Sequence, residues 1–249
     1  MRRAFACLAV LILLSAGTGI GRAAGEPVDL ELILAADVSR SIDDDEFELQ
    51  REGYIAALQD PRVLSAIQGG SIGAIAITYV EWAGVGEQKV VVNWTVVRDG
   101  EGAAIVADQI RKAPRSFYGH TSISDAIDFS MQHFENAGAT SERRVIDVSG
   151  DGTNNSGRAV TSARDEAAAK GVVINGLAII NDNVNFGYLA HTHPPGGLPN
   201  YYRENVVGGP GSFLLQVVNF QSFADAMVQK MVTEISALPR DQRRQFAGR

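Results

Sequence analysis

The chain has one cysteine, Cys7, and it lies inside the first apolar stretch. Everything after that stretch is free of disulfide and thiol chemistry, a composition at ease in an oxidising compartment. Basic residues are in deficit: 22 Lys and Arg stand against 29 Asp and Glu, a formal net charge of −7. That deficit argues against a nucleic-acid partner, which requires a basic face. No apolar run reaches the roughly 20 residues that a bilayer-crossing helix needs. Internal repeats and low-complexity tracts are missing, which sets aside solenoids and arrays. Several catalytic signatures are missing too. There is no Gly-x-Ser-x-Gly, no His-Glu-x-x-His, no Gly-x-x-x-x-Gly-Lys phosphate loop, and no Gly-x-Gly-x-x-Gly after the first strand. A dinucleotide-binding reading therefore fails at its first loop.

What is present is the composition of one sizeable globular domain: 249 residues, 45% hydrophobic and 20% charged. The N-terminus has the layout of a secretory signal peptide. Arg2 and Arg3 precede an apolar stretch from Ala4 to Ala16, and small residues follow around Gly21 to Gly25. Cleavage after Ala23 places Gly21 and Ala23 at the −3 and −1 positions, whereas cleavage after Ala24 would put Arg22 at −3. Cys7 sits early in the run, unlike the cysteine of a lipoprotein anchor. The expected leader is residues 1–23, and export to the periplasm or the medium follows from it. Losing Arg2, Arg3 and Arg22 would take the net charge from −7 to −10.

Beyond the leader, strand-like and helix-like runs alternate. Val28 to Ala36 is almost continuously apolar, as a buried strand is. Asp43 to Gln59 has helical spacing, with Asp43 and Glu46 forming a capping-box start. Ser71–Trp82 and Gln88–Val96 read as two strands paired antiparallel across residues 83–87. Glu101–Lys112 and Ser122–Ala137 read as helices, Arg144–Ser149 as a strand, and Arg158–Lys170 as an Ala-rich helix stopped by Gly171. Val172–Ile180 is another buried strand. Asn181–Gly211 breaks the pattern with Asn, Gly, Pro and aromatics, then come a strand at Phe213–Val218 and an amphipathic helix at Phe220–Leu238. Residues 239–249 form a polar tail. The alternation predicts an α/β fold: a doubly wound, mostly parallel sheet with one antiparallel edge strand and helices on both faces, spanning residues 28–238.

Open parallel sheets place ligands beyond the carboxyl ends of their strands. The first strand runs directly into Asp37-Val38-Ser39-Arg40-Ser41, so alternate residues contribute one carboxylate and two hydroxyls. These are hard oxygen donors suited to Mg²⁺, Ca²⁺ or Mn²⁺. The strand at 144–149 ends in Gly150-Asp151-Gly152, which brings another carboxylate to the same rim. Asp147, inside that strand, reads as structural. Thr121, in Gly119-His120-Thr121-Ser122, sits where a helix N-cap would sit, and its hydroxyl suits capping, metal binding or both. His120, Asn154 and Asn155 are candidates for the rim. His191 and His193 have no obvious third ligand, so a histidine-based site ranks low. Tyr201 and Tyr202 read equally well as a recognition rim or as anchors of a packed loop.

Asp37-x-Ser39-x-Ser41, then Thr121, then Asp151-Gly152, resembles the metal-ion-dependent adhesion site of von Willebrand factor A domains. The chain resembles a group of exported bacterial proteins of that type with no assigned function. The resemblance implies a doubly wound fold over essentially all of residues 28–238. It implies that Ser39 and Ser41 bind a divalent ion directly, Thr121 directly or through water, and Asp37 and Asp151 mainly through water and hydrogen bonds. Mg²⁺ fits this donor set best, since it keeps several waters. Such a shell has room for a carboxylate from a protein ligand. The first reading is thus a non-enzymatic, metal-dependent binding module that captures an acidic group. A metal-dependent phosphohydrolase using the same residues is the alternative, disfavoured by the acidic surroundings and the missing cationic fork. A third reading gives the metal only a stiffening role.

Overall fold

The computed structural model describes residues 25–180 and 189–237. The expected leader, the tail at 239–249 and the first part of the irregular segment after 180 lie outside the described residues. Eight strands and eight helices follow in chain order. The strands are β1 (Glu26–Pro27), β2 (Leu30–Asp37), β3 (Ile75–Trp82), β4 (Gln88–Val97), β5 (Ala139–Thr140), β6 (Arg144–Gly150), β7 (Val173–Ile179) and β8 (Leu214–Val217). The helices are α1 (Asp44–Gln59), α2 (Pro61–Gln68), α3 (Gly100–Lys112), α4 (Ile123–His133), α5 (Val160–Ala169), α6 (Leu189–Thr192), α7 (Leu198–Tyr201) and α8 (Phe223–Ser236).

Six strands form one sheet in the order β4-β3-β2-β6-β7-β8, parallel throughout except for the antiparallel β3–β4 pair at one edge. All eight residues of β2 are buried, as are all eight of β3. Continuous burial is what a parallel strand covered on both faces requires. One core packs α1, α2, α3 and α8 against the Leu32, Leu34 and Ala36 side of β2. The other packs α4, α5 and the Leu198–Val206 segment against Ile33, Ala35, Ile146 and Val148. The expected doubly wound architecture is therefore the observed one.

Several local expectations also hold or shift for identifiable reasons. The Asp43 carboxylate accepts from the Glu46 amide at 2.9 Å while the Glu46 side chain accepts from the Asp43 amide, a complete capping box. β3 starts at Ile75 rather than Ser71, because the Asp29 carboxylate gathers the amides of Ile72, Gly73 and Ala74 into a turn. The helix expected to begin at Ser122 ends as an α-helix at His133 and continues as one 3₁₀ turn, Phe134–Asn136. Helix α2 and the β1–β5 pair add to the expected elements. α2 starts from Asp60, whose carboxylate accepts from the Arg62 amide, with Pro61 in its first turn.

Candidate functional site

Asp37 is the last residue of β2, and the chain beyond it turns sharply through Ser39 to Ser41. The Asp37 Oδ1 accepts from the Ser39 amide at 2.7 Å, which folds the loop back over the strand end. Arg115 fixes the loop from outside. Its Nη2 donates to the carbonyls of Val38, Ser39 and Ile42 at 3.0, 3.0 and 2.8 Å, and its Nη1 pairs with Asp44 at 3.0 Å. Nothing in the spacing of the sequence points to Arg115, which reaches the motif from 73 to 77 positions away in the chain.

The five expected residues meet at this strand end. Ser41 donates to Asp151 Oδ1 at 2.6 Å, the Ser39 and Ser41 hydroxyls lie 3.3 Å apart, and Thr121 donates to Ser39 Oγ at 3.0 Å. Asp37, Ser39, Thr121 and Asp151 are all buried. Capping of α4 falls to Ser122, whose hydroxyl accepts from the Asp125 amide, so the Thr121 side chain is released from that role.

The carboxylates are the unusual part. Asp37 Oδ2 and Asp151 Oδ2 are both buried without a hydrogen-bond partner among the described residues. Gly150 lets Asp37 Oδ2 and the Tyr202 hydroxyl come close to the end of β6. A Cβ there would lie 2.7 Å from both Asp37 Oδ2 and the Tyr202 hydroxyl. Burial pushes the Asp37 carboxyl up to about 7, against the opposing effects of hydrogen bonds from Ser39 and the charge of Arg115. Asp151 is driven well above the usual carboxylate range, first by burial and then by the neighbouring Asp37 charge. Two buried acids with orphaned oxygens, ringed by three hydroxyls, present hard donors and excess negative charge. Buried charge is stable only when paired or bound to metal, so the donor set fits a hard divalent cation. Among the described residues no group of three or more His, Cys, Asp or Glu side chains is placed to hold a metal.

The rim divides differently from expectation. Asn155 Oδ1 accepts from the Thr121 amide at 2.9 Å, and Asn154 Oδ1 accepts from the Ser124 amide at 3.0 Å. Asn155 therefore ties the loop after β6 to the loop before α4, and Asn154 ties it to the first turn of α4. Asn155 also borders a cleft of about 40 Å³ with Arg40, Ser41, Gly119, His120, Thr121 and His191. His120 is exposed at that mouth. The two tyrosines are packed anchors. Tyr202 is fully buried, and the Tyr201 hydroxyl accepts from the Asn154 amide at 3.1 Å.

His191 departs most from the sequence reading. It comes in from α6 with Nε2 3.0 Å from Thr121 Oγ1 and Nδ1 3.0 Å from Thr153 Oγ1. Its carbonyl accepts from the Thr153 amide at 3.1 Å. Burial, and then the charge of His120, lowers the ring to about 4, so it is neutral at physiological pH. His193, two positions on, is exposed and bonded to Thr192. The only sequence signal for His191 is a histidine in a long insertion, which does not say where the insertion folds.

Comparison with known proteins places this geometry. A family profile described as "Protein of unknown function (DUF1194)" matches residues 27–239. A search of curated protein sequences finds no match. Among solved structures, proximal thread matrix protein 1 from the mussel byssus superposes with a TM-score of 0.57 at 14% identity, covering 85% of this chain and 47% of that one. The same protein with a zinc-occupied MIDAS motif gives a TM-score of 0.52 at 14% identity over 82% of this chain and 46% of that one. A von Willebrand factor type A protein from Catenulispora acidiphila gives 0.57 at 12% identity, covering 84% and 43%. The chain thus spans less than half the length of these structures, and at such identities the likeness is one of fold: that of a von Willebrand factor A domain.

Proposed function

The chain belongs to the DUF1194 family and has the fold of a von Willebrand factor A domain, and from that premise we propose that it is an exported binding module whose divalent-metal site captures an acidic group of a protein partner. One observation carries the reading. Three hydroxyls, from Ser39, Ser41 and Thr121, converge on two buried carboxylates, and each carboxylate keeps one oxygen without a partner among the described residues. Ser39, Ser41 and Thr121 would hold the ion, with Asp37 and Asp151 supplying countercharge and fixing the surrounding hydrogen bonds. Mg²⁺ is the preferred ion, with Ca²⁺ and Mn²⁺ as alternatives, since neutral oxygen donors and retained water suit it. When bound, the ion offers an electron-poor coordination position to a partner's carboxylate. The cleft beside His120 and Asn155 is the approach. Export, to the periplasm or the medium, rests on the leader-like N-terminus.

A phosphohydrolase would need a cationic group free to face a phosphoryl oxygen. Arg115, the guanidinium that braces the motif, is committed to three loop carbonyls and to Asp44. Arg40 also borders the cleft, its Nε on the Tyr118 carbonyl, so the phosphohydrolase remains the alternative and the preference for a binding module rests on the hydroxyl-rich donor set. The binding reading is tested by immobilising the protein and passing over it the host envelope fraction in Mg²⁺. A specific protein partner should be retained, released by EDTA or by an excess of an Asp-containing competitor peptide, and lost with Asp37→Ala. Retention that ignores both EDTA and Asp37→Ala would overturn the reading.

A further inference from the structure

A hydroxyl ligates a cation through its lone pairs, so its own proton must point at some other acceptor. Ser41 meets that requirement already, since it donates to Asp151 Oδ1 at 2.6 Å. Thr121 meets it only at the expense of a second ligand. Its single proton is directed at Ser39 Oγ, 3.0 Å away, where it takes one of the two lone pairs that oxygen has to offer a cation. Among the described residues, the other side-chain group in hydrogen-bond range of Thr121 Oγ1 is His191 Nε2, at 3.0 Å.

The ring is built into that position. The His191 carbonyl accepts from the Thr153 amide, and Nδ1 faces the Thr153 hydroxyl at 3.0 Å. With Nδ1 protonated and donating to Thr153 Oγ1, Nε2 has a free lone pair aimed at Thr121. The imidazole also lies close against Gly152, where a Cβ would come within 2.1 Å of Nε2. Any other residue at 152 would push the ring away. The same Asp151-Gly152 turn thus delivers a carboxylate to Ser41 and leaves room for an imidazole beside Thr121.

We propose that His191 accepts the Thr121 hydroxyl proton and so turns the lone pairs of both Thr121 and Ser39 toward the cation, making it a positioning residue of the metal site. This rests on the metal-site reading above and adds to it an acceptor contributed by the segment between β7 and β8. The ring approaches Thr121 from the Thr153 side and forms one wall of the cleft that it shares with Arg40, Ser41 and His120.

The test titrates Mg²⁺ and Zn²⁺ separately into wild type, His191→Ala, His191→Gln and Asp37→Ala by calorimetry, with the urea midpoint of each metal-free protein measured in parallel. His191→Ala should weaken both ions by about 10- to 100-fold, the range for removing a group that orients a metal ligand. His191→Gln places a carbonyl acceptor near the position of Nε2 and should restore binding to within about threefold of wild type, since the acceptor is what the ligand hydroxyl needs. A purely structural role would not be rescued that way. Thr153→Val, which leaves His191 in place but frees its tautomer, should give a smaller loss of the same kind. Unchanged affinity in His191→Ala overturns the proposal. So does failure of the Gln variant to restore binding, or a loss confined to Zn²⁺, which would make the imidazole a direct ligand. Tighter binding in His191→Ala would also overturn it, by making the ring a plug. If wild type takes up no ion, the metal-site reading falls and the role of His191 with it. If Asp37→Ala abolishes binding while His191→Ala matches wild type, only the role of His191 falls.

Discussion

Two pairs of buried acids lie against the same sheet in different company. Asp147, inside β6, and Glu234, on α8, share the ammonium of Lys230, which lies 2.6 Å from each, with all three side chains fully buried. Asn175 donates to Glu234 at 2.8 Å and completes the cluster. Asp37 and Asp151, at the strand ends, have hydroxyls and amides around them but, among the described residues, no ammonium. Arg115 lowers the Asp37 carboxyl only through its charge, while its donors go to carbonyls and to Asp44. The internal pair also stays perturbed: burial and then Glu234 push Asp147 up to about 7, which Lys230 only partly opposes. One covalently attached cation is thus barely enough for two buried carboxylates. A pair with none must hold a proton or take a cation from solution, and this contrast is the physical case for a metal at the strand ends.

Lys230 is where the contrast is most exposed to test. Lys230→Met leaves two uncompensated buried acids and should cost about 3–5 kcal/mol in urea unfolding. Adding Asp147→Asn and Glu234→Gln to that variant should recover most of the loss. A single-variant cost below about 1 kcal/mol would show that the internal cluster does not need its cation, since breaking a buried pair ordinarily costs several times that.

The next largest effect is at Asp37 and depends on pH. Its folded-state pKa is raised from 3.8 to about 7, mainly by burial. A carboxyl raised in this way contributes stability that is full below about pH 4 and is lost as pH rises through 7. Wild type with chelator present should therefore lose stability over that window relative to Asp37→Asn, which does not titrate there. The gap should grow by on the order of 2–4 kcal/mol, because each tenfold change in proton affinity between the folded and unfolded states is worth about 1.4 kcal/mol. Chemical denaturation at pH 4.5 and pH 8 checks it, and a gap that shrinks with rising pH contradicts the sign.

Smaller effects probe the supports of the site. Gly152→Ala forces a methyl group into the His191 ring. It should cost about 1–3 kcal/mol by overpacking, read as a lower urea midpoint. Asn155→Ala removes the acceptor of the Thr121 amide and should cost about 1 kcal/mol, because the position is partly open to water. A neutral Asn155→Ala would mean that the loop after β6 does not hold Thr121 in place.

Much of this can be read from the sequence because the relevant signals are local. β2 and β3 announce themselves as apolar runs, since burial on both faces admits few polar side chains. Asp37, Ser39 and Ser41 follow one strand directly and Asp151 follows another, so strand order alone brings them to one rim. Helix α2 is illegible because it is only eight residues long and buries only Val63 and Ile67. β1 and β5 are two residues each, too short for any periodicity. The supporting residues are hidden for another reason. Arg115 and His191 act on the site across 70 or more positions, and Tyr202 lies against Gly150 from a distant segment, so no spacing encodes their arrival. Thr121 is ambiguous between cap and ligand until Ser122 proves to be the cap.

The most direct measurement is a calorimetric titration of Mg²⁺ into metal-free wild type at pH 8, alongside Asp37→Ala and Ser39→Ala. A metal site at the strand ends predicts one saturable site in wild type, a rise in melting temperature on loading, and neither effect in the two variants. No binding in wild type, or equal binding in all three proteins, would contradict it.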